Sequence, residues 1–123
     1  MTEDELQARL EQTTPPSERH GLFVEDCRDQ DIRVRFSLPA GGWSTAALLA
    51  VADGALRATG GGGATIIHLS VTMIRPAQQA DIFALSRVIR RDRETVYAEA
   101  WLFCHAVVEP MLHATASLRM DSR

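Results

Sequence analysis

A single aspartate stands inside a run of small apolar residues: from Ala46 to Ala58, Asp53 and Arg57 are the polar side chains. An ionised carboxylate in a dry interior costs several kcal/mol unless it is paired or hydrogen-bonded. Asp53 is therefore the first candidate for chemistry, as a general base or a nucleophile. The competing reading is a structural pair with Arg57, four residues on and on the same helical face. The second candidate is the start of the same segment. Ser44 or Thr45 is a natural N-cap, and the free N–H groups of Thr45 and Ala46, at the positive end of a helix dipole, could hold a developing oxyanion. Asp53 lies seven residues beyond Ala46, about 10 Å along a helix axis. One helix cannot easily bring both groups to one carbonyl, but two helices from a dimer could.

Other chemistries find little support. The four histidines (His20, His68, His105, His113) lack the close ligand pairs of a zinc site, so no metal is expected. No GxSxG elbow is present, and no Lys-Ser/Thr follows the glycine run 60–63, which reads as a connector. Cys27 and Cys104 are far apart and read as reduced core or interface residues. The formal charge of −3 argues against a nucleic-acid partner. No apolar run reaches membrane-spanning length, and the charged start lacks the apolar region of a signal peptide, so the expected location is cytoplasmic. All 13 basic residues are arginine. Arg75, Arg90, Arg91 and Arg93 are expected on two loops, where a phosphate could meet their planar forks; a solvated turn is the alternative.

The elements that must position these residues follow from periodicity. Thr2 to Gln12 reads as a short solvent-facing helix, stopped by Thr13-Thr14-Pro15-Pro16. Leu22–Cys27 and Ile32–Leu38 read as strands around a polar turn at 28–31. In the second strand Ile32, Val34, Phe36 and Leu38 alternate with Arg33, Arg35 and Ser37. Ser44–Thr59 reads as a helix apolar nearly all round, which the rest of the fold must enclose. Thr65–Ile74 has Ile67, Leu69, Val71 and Met73 on one face and His68, Ser70 and Thr72 on the other. Asp81–Ile89, a charged turn at 90–94, Val96–Ala106 and Met111–Met120 complete a set of long strands. A sheet curled around one buried helix is the expected α+β architecture, with residues 1–20 as an N-terminal helix and linker and 21–123 as the domain. An exposed edge as long as 65–74 invites pairing with a second copy.

That order of elements resembles the hotdog-fold acyl-CoA thioesterases of the phenylacetyl-CoA and 4-hydroxybenzoyl-CoA type, over about Gly21 to Met120. The segment LLAVADGAL (residues 48–56) is similar to the family's segment with the catalytic acid, and SVTMIRPA (residues 70–77) to its strand and loop ending FLRPA. The resemblance implies a hotdog domain working as a homodimer or homotetramer on an acyl-CoA thioester, with no cofactor beyond the coenzyme A of the substrate. It implies that Asp53 activates water or attacks the thioester, while Thr45 and Ala46 of the opposite protomer polarise the carbonyl and Ser44 borders the substrate. The arginines at 75, 90, 91 and 93 would then face the CoA phosphates. Where the family opens this helix with His-Gly-Gly, the chain has Ser44, Thr45 and Ala46. The backbone donors survive, but Thr45 adds a β-branched side chain where a glycine allowed close approach. A catalytically silent acyl-CoA-binding protein is the alternative reading, and a dimerisation module without a ligand is a third.

Overall fold

The computed structural model of the protein describes residues 1–28, 31–104 and 109–120; the expected turn at 28–31 and the stretch 105–108 lie partly or wholly outside them. Helix α1 (Glu3–Thr13) starts in a capping box. Thr2 Oγ1 accepts from the Glu5 N–H at 3.1 Å, and the Glu5 carboxylate accepts from the Thr2 N–H at 2.8 Å. The helix does not face solvent on all sides, as its charged composition suggested. Leu6 and Leu10, four residues apart on one stripe, are fully buried in the core. A two-leucine stripe has no stability in water by itself, so it is spent on covering strand β1 (Phe23–Arg28) and the central helix. Helix α2 (Pro16–Arg19) is one turn, opened by a proline at its first position.

The described strands form one antiparallel sheet in the order β1-β2-β4-β5-β6-β3, with β2 at Asp31–Phe36, β3 at Ala64–Met73, β4 at Ile82–Asp92, β5 at Thr95–Cys104 and β6 at Leu112–Met120. Helix α3 (Thr45–Ala58) lies on the inner face and packs against β2, β4, β5, β6 and β3. The inner face is lined by Ala84, Ala98, Ala100, Ala114 and Ala116, all buried, and the helix answers with Ala47, Val51, Ala52, Ala55 and Leu56. Small side chains on both surfaces let helix and sheet approach closely without voids. Three bulges, after Val24, Ile66 and Val88, add twist and help the sheet curl round the helix.

Two expectations change at those bulges and turns. Ile67 is the extra residue of the β3 bulge and so leaves the face it was expected to share. Leu69, Val71 and Met73 stand opposite the inward Ala116, Ala114 and Leu112. Strand β4 continues through the expected charged turn, with Arg90 opposite Tyr97 and Arg91 opposite Val96. A two-residue turn at Arg93-Glu94 closes the hairpin, with Arg93 at φ 55°, and the Arg90 guanidinium lies 4.6 Å over the Tyr97 ring. Cross-strand packing thus extends the ladder where charge alone suggested a loop.

The two sheet edges are treated differently. Along β1, the Gln7 side-chain amide donates to the Leu22 carbonyl at 2.9 Å and accepts from the Val24 N–H at 2.7 Å, and Glu3 accepts from the Cys27 N–H at 3.2 Å. Helix α1 therefore occupies the hydrogen-bonding edge of β1. Nothing among the described residues covers the outer edge of β3, which carries Ile67 (58% exposed), Leu69 and Met73.

Candidate functional site

Helix α3 starts where the sequence places it. Ser44 is the N-cap: its Oγ accepts from the Ala47 N–H at 3.1 Å, and its carbonyl from the Leu48 N–H at 2.9 Å. Among the described residues, the Thr45 and Ala46 N–H groups have no acceptor, so two donors at the positive helix end stay open to solvent. Trp43 fixes the approach to this end. Its indole N–H donates to the Ala80 carbonyl at 2.7 Å, and its backbone N–H to the Gln79 side chain at 3.2 Å.

The helix is not enclosed on every side. Thr45, Ala46, Leu49, Ala50 and Asp53, at helical spacing, form one stripe that the protomer leaves open; Leu49 is 38% exposed. The Asp53 side chain, expected in a dry interior, is 37% exposed, and it is Arg57, at 10%, that is buried. The expectation failed because one small sheet covers only part of a helix's circumference. Asp53 and Arg57 do pair, Nε to Oδ2 at 3.1 Å. The Arg57 Nη1 also donates to Thr13 Oγ1 at 3.0 Å and the Thr13 carbonyl at 3.4 Å, and its Nη2 to Thr14 Oγ1 at 2.8 Å. Among the described residues, the Asp53 Oδ1 makes no hydrogen bond.

Asp53 lies between two grooves. One, of about 530 Å³, runs along the open stripe and joins Asp53 to Ser44, Ala46 and Leu49, with Ser17, Glu18 and His20 on the far wall. The other, of about 470 Å³, leads from Asp53 and Arg57 past Thr13 and Gly62 to Ile66 at the start of β3. The sequence did not single out Ser17, Glu18 or His20 for this wall. His20 sits at φ 50°, with its ring 5.8 Å from that of Trp43. No local pattern marks it, because only the return of the chain at Gly21 brings it beside the helix start.

The four arginines are not gathered at these grooves. Arg75 follows the end of β3 and pairs with Glu109. The 90–93 hairpin lies by the beginning of β3, where the Met120 N–H donates to the Glu94 carbonyl. Within one protomer the two groups are a strand length apart, about 30 Å for ten residues.

A second polar cluster occupies the outer sheet face. The buried Glu99 carboxylate accepts from Arg87 Nε at 2.6 Å and lies 3.0 Å from His113 Nε2, whose ring stacks on Trp101 at 3.8 Å. Burial pushes the Glu99 carboxyl up, but the hydrogen bonds and charges of His113 and Arg87 outweigh it and hold the group below the usual carboxylate range. With both oxygens engaged, this carboxylate is a structural anchor. Among the described residues no group of three or more His, Cys, Asp or Glu side chains could hold a metal, and no helix is long and apolar enough to cross a membrane.

No protein-family model matches the sequence, and no curated protein matches it either. Solved structures do. A candidate thioesterase from Silicibacter sp. TM1040 superposes with a TM-score of 0.84 at 20% identity, covering 99% of this chain and 93% of that one. A thioesterase family protein from Silicibacter pomeroyi gives 0.80 at 13% identity over 97% and 98%. A mutant thioesterase from Pseudomonas aeruginosa gives 0.76 at 13% identity over 97% and 93%. At such identities a likeness speaks for architecture and not for activity. With the helix-wrapping antiparallel sheet already described, the chain is a hotdog-fold protein.

Proposed function

We propose that this protein hydrolyses acyl-CoA thioesters of small or aromatic acids as a dimer joined through β3. One observation carries the reading. Asp53 stands on the open stripe of α3 with one carboxylate oxygen held by Arg57 and the other unengaged, in a groove that also reaches the helix start. In the general-base form of the reaction, Asp53 takes a proton from water as the water oxygen bonds to the thioester carbon. The carbonyl oxygen becomes an oxyanion facing the Thr45 and Ala46 N–H groups of the opposite protomer. Its collapse breaks the C–S bond, the leaving thiolate takes back the proton that Asp53 removed from water, and the acid product ionises, giving free CoA, a carboxylate and Asp53 as it began.

A dimer is part of the proposal for a physical reason. Helix α1 blocks the β1 edge, so an open backbone edge and a partly exposed apolar inner face coincide at β3. Pairing there would cover Leu69, Val71 and Met73 and bring a second α3 towards the first. Ser44 would border the acyl group. Arg75 of one protomer and the Arg90, Arg91 and Arg93 hairpin offer charge for the nucleotide phosphates. No cofactor beyond the substrate's own CoA, no nucleic acid and no membrane enters this reading, which fits a cytoplasmic enzyme.

A second reading, binding without turnover, is favoured by the Asp53–Arg57 pair and by the Thr45 side chain at the helix start. A panel of acyl-CoA esters, assayed for thiol release with binding measured in parallel, tests both. Turnover supports hydrolysis, and tight binding without thiol release supports the silent binder. The absence of both turnover and binding would leave a dimerisation module.

A further inference from the structure

Arg57 is placed to do more than neutralise Asp53. All three of its guanidinium nitrogens are engaged, and all but one of their acceptors belong to Thr13 and Thr14, more than forty residues earlier in the chain. These two threonines close α1: Thr13 is its last residue and Thr14 its C-cap. The last turn of α1 has no basic residue of its own. The Arg57 guanidinium supplies the positive charge that the carbonyl end of a helix favours. Thr13 Oγ1 accepts from Arg57 and donates in turn to the Arg9 carbonyl at 2.9 Å. Arg19 Nε donates to the Thr14 carbonyl at 3.0 Å, so the Thr14 backbone is held as well. Thr14 and Arg57 are both buried.

A planar fork bonded through Nε, Nη1 and Nη2 has no freedom to turn about its own axis. The position of Asp53 Oδ2 is therefore set by Thr13 and Thr14, through Arg57. We infer that Arg57 is a positioning residue, locked by the Thr13-Thr14 corner, which holds Asp53 with its Oδ1 free and makes the N-terminal segment part of the hydrolytic site. The inference rests on the proposed role of Asp53. It goes beyond that role by turning the Asp53–Arg57 pair from a rival of catalysis into its support. The same corner borders the groove shared by Asp53 and Arg57, so the segment both shapes the site and orients its acid.

The test compares Thr14→Val, which keeps shape and removes the acceptor, with Thr14→Ser, which restores a hydroxyl. Thr13→Ala, at an exposed position, is a second variant whose folding is not at stake. Steady-state hydrolysis of an acyl-CoA ester is measured well below each melting temperature, with Asp53→Asn alongside. A displacement of 1 Å can cost about 100-fold in rate, so a partial loss of orientation should lower kcat by about tenfold. The expected result is that fall for Thr14→Val, a smaller one for Thr13→Ala, KM unchanged in both, and kcat recovered in Thr14→Ser. Unchanged kcat in Thr14→Val, with Asp53→Asn inactive, would overturn the positioning role and leave the function of Asp53 standing. A raised KM at constant kcat would overturn it too, making the corner a binding surface. Wild-type turnover in Asp53→Asn, or no turnover by the unmodified protein, would remove both.

Discussion

Replacing Asp53 with asparagine separates chemistry from structure at one position. The amide keeps the volume of the carboxylate and can still accept from Arg57 Nε, now 3.1 Å from Oδ2. What disappears is the negative charge. Arg57 stays charged, so the bond survives as a charge-assisted one and only the ion-pair attraction is lost, about 1 kcal/mol at the upper end for a partly exposed pair. The loss is kept small because Asp53 is 37% exposed and water screens it, and because Arg57 retains three neutral acceptors. For a domain of 123 residues, that corresponds to a fall in melting temperature of about 4 °C. A positioned general base contributes about 100- to 10,000-fold in rate, so thiol release should fall at least 100-fold. Calorimetry and an acyl-CoA hydrolysis assay on the same preparation read both quantities. The expected pattern is a small loss of stability with a large loss of turnover. Near-normal turnover in a protein melting several degrees lower would refute the catalytic assignment and leave Asp53 as the counter-charge of a buried arginine.

Light scattering at micromolar concentration should report at least a dimer, and Leu69→Asp, on the partly exposed inner face of β3, should shift it to monomer; a monomeric wild-type protein would remove the shared-site geometry. Gly54→Ala should raise stability by about 0.5–1 kcal/mol in a thermal melt. The added Cβ would lie 3.7 Å from Leu22 and Phe36, ordinary contact in a helix interior, and a lowered melting temperature would show that the packing is tighter than this geometry implies. Glu99 has a folded-state carboxyl held below its reference value of 4.5, so its contribution is present above that value and is lost as pH falls through the lower folded one. Denaturant titrations from pH 7 down to pH 3 should show wild type losing stability in the acid range and Glu99→Gln losing less of it; parallel curves would mean that Arg87 and His113 do not stabilise the ionised form.

Periodicity and capping in the sequence determined most of the architecture. The alternation of Ile32, Val34 and Phe36 with arginines can satisfy only a strand with one buried face, and β2 is that strand. Ser44 before an alanine- and leucine-rich run specifies a helix start through local hydrogen bonding, and the cap forms there. The catalytic candidates on α3 were legible for the same reason: their mutual spacing is fixed by a single helix. Tertiary structure decided whatever depends on segments far apart in the chain. Leu6 and Leu10 became core because β1 and α3 offered them a surface. The bulge at Ile67 reassigned one side chain of β3, since a sheet can absorb an extra residue wherever twist is needed. Arg90 and Arg91 joined a strand because Tyr97 and Val96 stood opposite them. The burial of Arg57, the exposure of Asp53 and the approach of His20 to the helix start come from the N-terminal segment folding back over α3. A guanidinium held by residues 13 and 14 leaves no periodic trace in sequence, because hydrogen-bond partners brought together by the fold obey distance in space and not distance along the chain.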